Sequence, residues 1–356
     1  MKISVVDEEK KSELISARDI HKKRAAAFFE YLRDADEDLF LVSFDCEKNQ
    51  PLPKLQDSAA YYSRQLYLYN FTAVIGHSKS TLTKKNVKSY CWFENQFQKN
   101  ANLIASCIFH LLRSVDLKNY KRVRLMADGC GGQNKNTIFV SMVMYWFSKY
   151  APPNIEDVCL IFPITGHSFI PPDRVFGKIE REVKRHEMIL DPDELIKIIA
   201  NIGEVIDVSQ SVNVYDFKSC IKGVIKQTQS WPFQISKVKR IMLKRKSENL
   251  SMIEIKGEPY YYHDVANYTS VCIRKKSLMD ICLTQVAERN SLKKEKKSDA
   301  EKLLQKHFGD DWRTDNRLKF YVKVLDGAEE IEDMEAEKNV DDPPCVFLSE
   351  STDLIV

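Results

Sequence analysis

Hydrophobic positions fall along the chain in two textures, short dense runs and longer segments with helical spacing, and the two alternate. From about Asp7 to Ala35, the apolar residues Leu14, Ile15, Ile20, Ala25, Phe28, Phe29 and Leu32 predict one charged amphipathic helix. LFLVSFDC (Leu39–Cys46) is a continuous apolar run ending in an acid, the pattern of a buried strand. A Pro-marked turn, NQPLPK, leads through a tyrosine-rich segment to QLYLYNFTAVIG (Gln65–Gly76) and then KSYCWFE (Lys88–Glu94), a second and a third strand. Phe97, Ala101, Ile104, Ile108, Leu111 and Val115 return to steps of three and four residues, hence a helix. RVRLMAD (Arg122–Asp128) predicts a fourth strand, again closed by an acid, and a Gly-Gly loop introduces a helix from about Asn136 to Lys149. DVCLIFPI (Asp157–Ile164) is a fifth strand and PDRVFGKIEREVKRHE (Pro172–Glu187) a helix. DPDELIKIIANIG adds a short helix, with Asp191 as its cap and Pro192 in its first turn.

The order β-β-β-α-β-α-β-α predicts an α/β fold: one open mixed sheet flanked by helices, the order also used by the ribonuclease-H-like fold. After about Gly203 the pieces become short and β-rich. WPFQISKVKRIML, SMIEIKG and NYTSVCIRKK suggest a small antiparallel sheet. Residues 277 to 307 read as helical, with a fresh start at Ser298, whose partner Glu301 completes a capping box. The expected division is an N-terminal helix (1–36), a core (37–203), a small β-rich region (204–276), and a helical segment with an acidic tail (277–356).

Composition narrows the class. At 44% hydrophobic and 29% charged, the 356 residues can bury a real core. The densest apolar stretch, Thr137–Ser148, is too short to span a bilayer, and the opening MKISVVDEEKK has no apolar signal region. Nine cysteines without a CxxC pair argue against a disulfide framework or zinc ribbon and for a reducing cytosol or nucleus. From Asp326 to Asp342 nine acids stand against one lysine, a net of −8, so the total of +3 leaves +11 on the remainder. Glu329–Asp342 reads as disordered, and the basic body suits a polyanionic partner.

Asp45 and Asp128 end neighbouring predicted strands and would face the crevice at the strand ends of an open sheet. A third acid would come from the following helix, as Asp173 or Glu180. Spacing favours Asp173, which lies in the first turn, whereas Glu180 is about 10 Å further along. Three converging carboxylates suit Mg²⁺ or Mn²⁺, hard ions whose shell phosphates and waters complete. Such ions can activate a water or a 3′-hydroxyl for in-line phosphodiester displacement. In DGCGGQNKN (Asp128–Asn136), two glycines admit a ligand close to the backbone, and Gln133, Asn134 and Lys135 place donors at a helix start. The same string is equally a Gly-rich turn with Asn136 as its cap. His167 is a candidate proton shuttle or a histidine satisfied in a turn. Glu47 makes a DxE pair with Asp45, the opening signature of proofreading-type exonucleases. The run KVKRIMLKRK supplies Lys237, Lys239, Arg240, Lys244 and Arg245 as candidate phosphate contacts, near Trp231 and Phe233.

FDCEKNQPLPKLQDSAAYYSRQLYLYNF, WFENQFQKNANLIASCIFHLL, ADGCGGQNKN and GHSFIPPDRVFGKIEREVK together resemble a family of uncharacterised, transposon-derived proteins abundant in insect and other animal genomes. The resemblance runs from about Ala17 to Lys276. It implies a ribonuclease-H-like fold, as in DDE/DDD transposases, with the motif acids on Asp45, Asp128 and either Asp173 or Glu180, and His167 on the family's GHS histidine. Longer relatives carry a Cys-rich, zinc-binding region upstream, and this chain begins just after where it would lie. Glu47 stands where relatives tend to have a neutral residue.

The expected function is therefore metal-dependent phosphodiester transfer from a mobile element, active or decayed. It would have DNA as partner, Mg²⁺ or Mn²⁺ as the ion, a nuclear or cytoplasmic location and room for a homo-oligomer, with neither a membrane nor a small-molecule cofactor. The alternatives are a domesticated nucleic-acid-binding protein without catalysis and a DEDD-like exonuclease.

Overall fold

The computed structural model describes residues 8–57 and 63–327. The acidic segment Glu329–Asp342 and part of the tyrosine-rich block, Tyr61 and Tyr62, lie outside the described residues. Among the described residues nine strands form one sheet: β1 (Leu39–Cys46), β2 (Gln50–Leu52), β3 (Leu66–Ile75), β4 (Val87–Phe93), β5 (Arg122–Ala127), β6 (Asp157–Ile161), β7 (Glu204–Asp207), β8 (Arg240–Lys246) and β9 (Asn249–Glu258). Their order is β7-β4-β3-β1-β5-β6-β8-β9, with the short β2 beside β3. β1 is antiparallel to β3, β3 is antiparallel to β4, and β5 and β6 continue parallel to β1. That is the ribonuclease-H-like arrangement expected from the element order.

The antiparallel pair expected after Gly203 exists as β8 and β9, but it does not form a sheet of its own. β8 pairs with β6 and prolongs the main sheet. Without it, β6 would present an open edge with Val158, Leu160 and Ile161 buried beside it, an exposure proteins avoid.

Alternation along β1 sorts the two faces. Phe40, Val42 and Phe44 join Leu125 and Ala127 in one core cluster with α2 (Ala101–Ser114) and α3 (Thr137–Lys149). Asn136 caps α3 by accepting from the Phe139 amide at 2.9 Å, as its position before the apolar run suggested. The other face carries Leu39, Leu41 and Met126, which cluster with Ala25, Phe28 and Leu32 of α1 (Glu8–Arg33). It also carries Leu68, Val74 and Val87, which cluster with Val175 and Ile179 of α4 (Pro171–Val183) and Ile198 of α5 (Pro192–Ala200). Two C-terminal helices, α6 (Lys294–Phe308) and α7 (Lys319–Asp326), contribute Leu304 and Tyr321 to that cluster.

Three details depart from the expected elements. Of the stretch 277–307 read as helical, the part before Lys294 holds only a short turn at Leu278–Asp280 and is otherwise irregular. In α1 the apolar stripe is buried only from Ala25 onward, and Leu14, Ile15 and Ile20 are exposed. α6 begins at Lys294, four residues before the expected start at Ser298. Lys296, in its first turn, donates to both carboxylate oxygens of Glu94 at 2.6 Å, and this tertiary anchor sits ahead of the capping box. Among the described residues no helix is long and apolar enough to cross a membrane.

Candidate functional site

β1 and β5 run side by side with Phe44 opposite Ala127, so the next residues of each, Asp45 and Asp128, stand next to one another at the same end. In a parallel pair, opposed residues share a face, and neighbouring strands are about 4.8 Å apart. The face is the one that α4 covers. α4 opens with Pro171 and Pro172, and Asp173 follows in its first turn. Two strand ends and one helix start thus bring three carboxylates towards one region.

Electrostatics records the convergence. The pKa of Asp45 is pushed up to about 8, first by burial, then by the charge of Asp128, with Asp173 adding to it and Lys99 opposing it. Asp173 is also raised, by burial and by Asp128. Each acid spends one oxygen locally. Asp45 Oδ1 accepts from the Cys46 amide at 2.7 Å, Asp128 Oδ1 from Asn134 Nδ2 at 2.6 Å, and Asp173 Oδ2 from the Ile170 amide at 2.7 Å. The last bond is the helix-capping role open to any Asp in a first turn, so Asp173 caps α4 while its charge acts on Asp45 and that of Asp128 acts on it.

Glu180 does not join them. Its carboxylate is exposed and pairs with Lys184 at 3.0 Å. The acid it influences is Glu47, which burial pushes up to about 7 and whose oxygens are taken by Asn70 and Gln50, each at 2.8 Å. Glu47 is therefore buried in a separate polar cluster with Asn70 and Gln50. His167 packs its ring 4.8 Å from that of His21 on α1, and it is not among the main charges that shift Asp45 or Asp173.

The loop from Asp128 to Asn136 turns inward. Asn134 is buried; it holds Asp128 through Nδ2, while its Oδ1 is buried without a hydrogen-bond partner. Gln133 is half-buried. Lys135 donates to the Ser236 carbonyl at 2.9 Å and lies 5.1 Å from the Phe162 ring. Burial, helped by Lys239, brings its pKa down to about 8. Lys239 is lowered as well, by burial and by Arg24 of α1, and it donates to the Pro163 carbonyl at 3.0 Å. Lys135, Lys239 and Arg24 thus form a positive cluster on the strand-end side of the sheet.

The rest of the basic run needs correction. Arg240 is buried, with its guanidinium on the carbonyls of Tyr260 and His263. Arg245 reaches the carbonyls of Phe147, Ala151 and Pro152, where it closes the C-terminus of α3. Both guanidiniums are consumed inside the protein and are not available to track phosphates. Lys244 lies 4.2 Å over Tyr268 and 3.9 Å from Glu254, and Lys237 is exposed.

The sequence reading passed over a groove of about 620 Å³ beside Asp173. Residues 79–82 form one wall, and Phe169, Arg174, Gly177, Lys178 and Arg181 form the other. Its signal was present as cations at i, i+4 and i+7 of α4, on the face opposite the apolar residues that define the helix.

A divalent cation implied by this fold is tested by the donor set. Three carboxylates that repel one another, beside an orphaned buried amide oxygen, match the chemistry of a hard ion. Among the described residues, no three His, Cys, Asp or Glu side chains come together closely enough to hold an ion as they stand. As they stand, the three carboxylates make no closed protein cage, and an ion there would need other oxygens to complete its shell.

One family model matches the chain, described as "Domain of unknown function (DUF7869)", over residues 65–257. The span is more than half of the chain and holds Asp128, Asp173 and the groove, while Asp45 lies before it. No curated protein and no solved structure matches.

Proposed function

The chain belongs to the DUF7869 family, and we propose that it is a transposase-derived domain for divalent-metal-dependent phosphodiester transfer on DNA. The observation that carries this reading is the side-by-side placement of Asp45 and Asp128, with their mutual repulsion shared by Asp173. In this reading the three aspartates hold Mg²⁺ or Mn²⁺ between them. When bound, the ion would supply Lewis-acid stabilisation of the phosphoryl oxygens and an activated water or 3′-hydroxyl. Asn134 fixes the rotamer of Asp128 through its bond to Oδ1. Burial and the charge of Asp128 favour the protonated form of Asp45, and a bound cation would take that proton's place. Asp45 and Asp128 at adjoining strand ends and Asp173 in a helix's first turn, all half-buried, place the donors on regular elements of the fold.

A second reading, a domesticated nucleic-acid-binding protein without catalysis, is favoured by one fact: among the described residues the acids do not form a closed ligand set. Thermal unfolding with increasing Mn²⁺ separates the two. The metal reading expects a rising melting temperature in the wild type, no rise in Asp128→Asn, and a nearly normal rise in Glu180→Gln. No response of the wild type to millimolar Mn²⁺ would leave the binding reading in its place.

A further inference from the structure

The groove beside Asp173 has the features of a polyanion track. Arg174, Lys178 and Arg181 project from one face of α4, and Lys79 faces them from the β3–β4 loop. Among the described residues no carboxylate lies within ion-pair distance of any of these four cations, although seven of the other fourteen arginines have such partners. Arg174 Nη2 is buried and has no hydrogen-bond partner, a donor the fold leaves unanswered at the groove wall. Gly177 lies between the cations, and a Cβ built there would meet nothing within 4 Å. The floor is therefore open for close approach of a ligand. At the Asp173 end stands Phe169, 62% exposed in a chain that buries most of its phenylalanines.

We propose that this groove binds a single strand of nucleic acid, with phosphates on Lys79, Arg174, Lys178 and Arg181 and a base stacked on Phe169, and so leads the strand to the carboxylates. The aromatic favours a single strand over a duplex, because a base inside a duplex has no free face to offer. The inference deepens the phosphodiester reading and rests on it for the strand's destination, but the groove's occupancy can be tested alone.

The test is fluorescence anisotropy of a labelled 20-nucleotide thymidine strand, titrated with the whole chain in EDTA at two salt concentrations. Four phosphate contacts predict a slope of log affinity on log salt of about −3. The exposed pair Lys178→Glu with Arg181→Glu should weaken binding at least about tenfold and flatten the slope by about 1.4. Phe169→Ala should cost roughly tenfold with the slope unchanged, since stacking releases no counterions. Wild-type affinity in the charge-reversed protein overturns the proposal. So does tighter binding of a duplex of equal length, or retention by phosphatidylserine vesicles with no binding of the strand. Because the titration contains no metal, groove-dependent binding stands even if Mn²⁺ later elicits no response. A Mn²⁺ response with no groove dependence refutes the groove alone.

Discussion

Replacing Asp45 by asparagine keeps the side-chain volume and removes a carboxylate whose proton the fold retains. Below the ordinary aspartate value of 3.8, folded and unfolded chains both carry that proton, and the group does not affect stability. Between 3.8 and about 8 the folded state holds a proton that the unfolded chain has released, so stability falls as pH rises. The slope for one such group is about 1.4 kcal/mol per pH unit. From about pH 5 to pH 7 this is a loss on the order of 3 kcal/mol. Asp45→Asn has no such slope. Glu47, moved from 4.5 to about 7, acts in the same direction in both proteins, so the difference between them isolates Asp45. Urea unfolding followed by tryptophan fluorescence at pH 5, 6 and 7 reads that difference. The variant should gain on the wild type by roughly 3 kcal/mol across the interval. Parallel pH profiles would show that Asp45 is ordinarily ionised and that the carboxylates do not converge.

Asn134→Asp puts a fourth carboxylate against Asp128, so its melting temperature should fall further below the wild type at pH 8 than at pH 5; equal deficits would refute the repulsion. Arg245→Ala uncovers three carbonyls at the end of α3 and should cost about 2–3 kcal/mol in urea unfolding, with strand binding unchanged. Gly177→Ala should stabilise the fold by about 0.5–1 kcal/mol, because its Cβ meets open space inside a helix, while oligonucleotide affinity drops.

Much of the core could be read from the chain because its strands are covered on both faces. LFLVSFDC gave no room for alternation, and β1 has the bounds the apolar run suggests. Asn136 and Asp191 cap the helices they precede, since local hydrogen bonding decides a cap. Asp173 and Glu180 were separable by spacing along one helix. What remained hidden depends on distant partners. KVKRIMLKRK looks like a cationic surface, yet carbonyls of residues 147, 151 and 152 and of 260 and 263 draw in two of its arginines. Nothing within the run marks those acceptors. The groove was equally silent, because its walls come from a loop after β3 and a helix after β6, and only the folded sheet brings them together.

In the proposed phosphodiester-transfer reading, Asp45, Asp128 and Asp173 share a divalent cation. Crystals soaked in Mn²⁺ and measured for its anomalous scattering test that directly. The account predicts a peak with oxygens of Asp45 and Asp128 at about 2.1 Å, the distance usual for small hard ions, and Asp173 in contact directly or through a water. A peak on Glu47 and Glu180 instead, or strand density in the groove with no metal at the three aspartates, would contradict it.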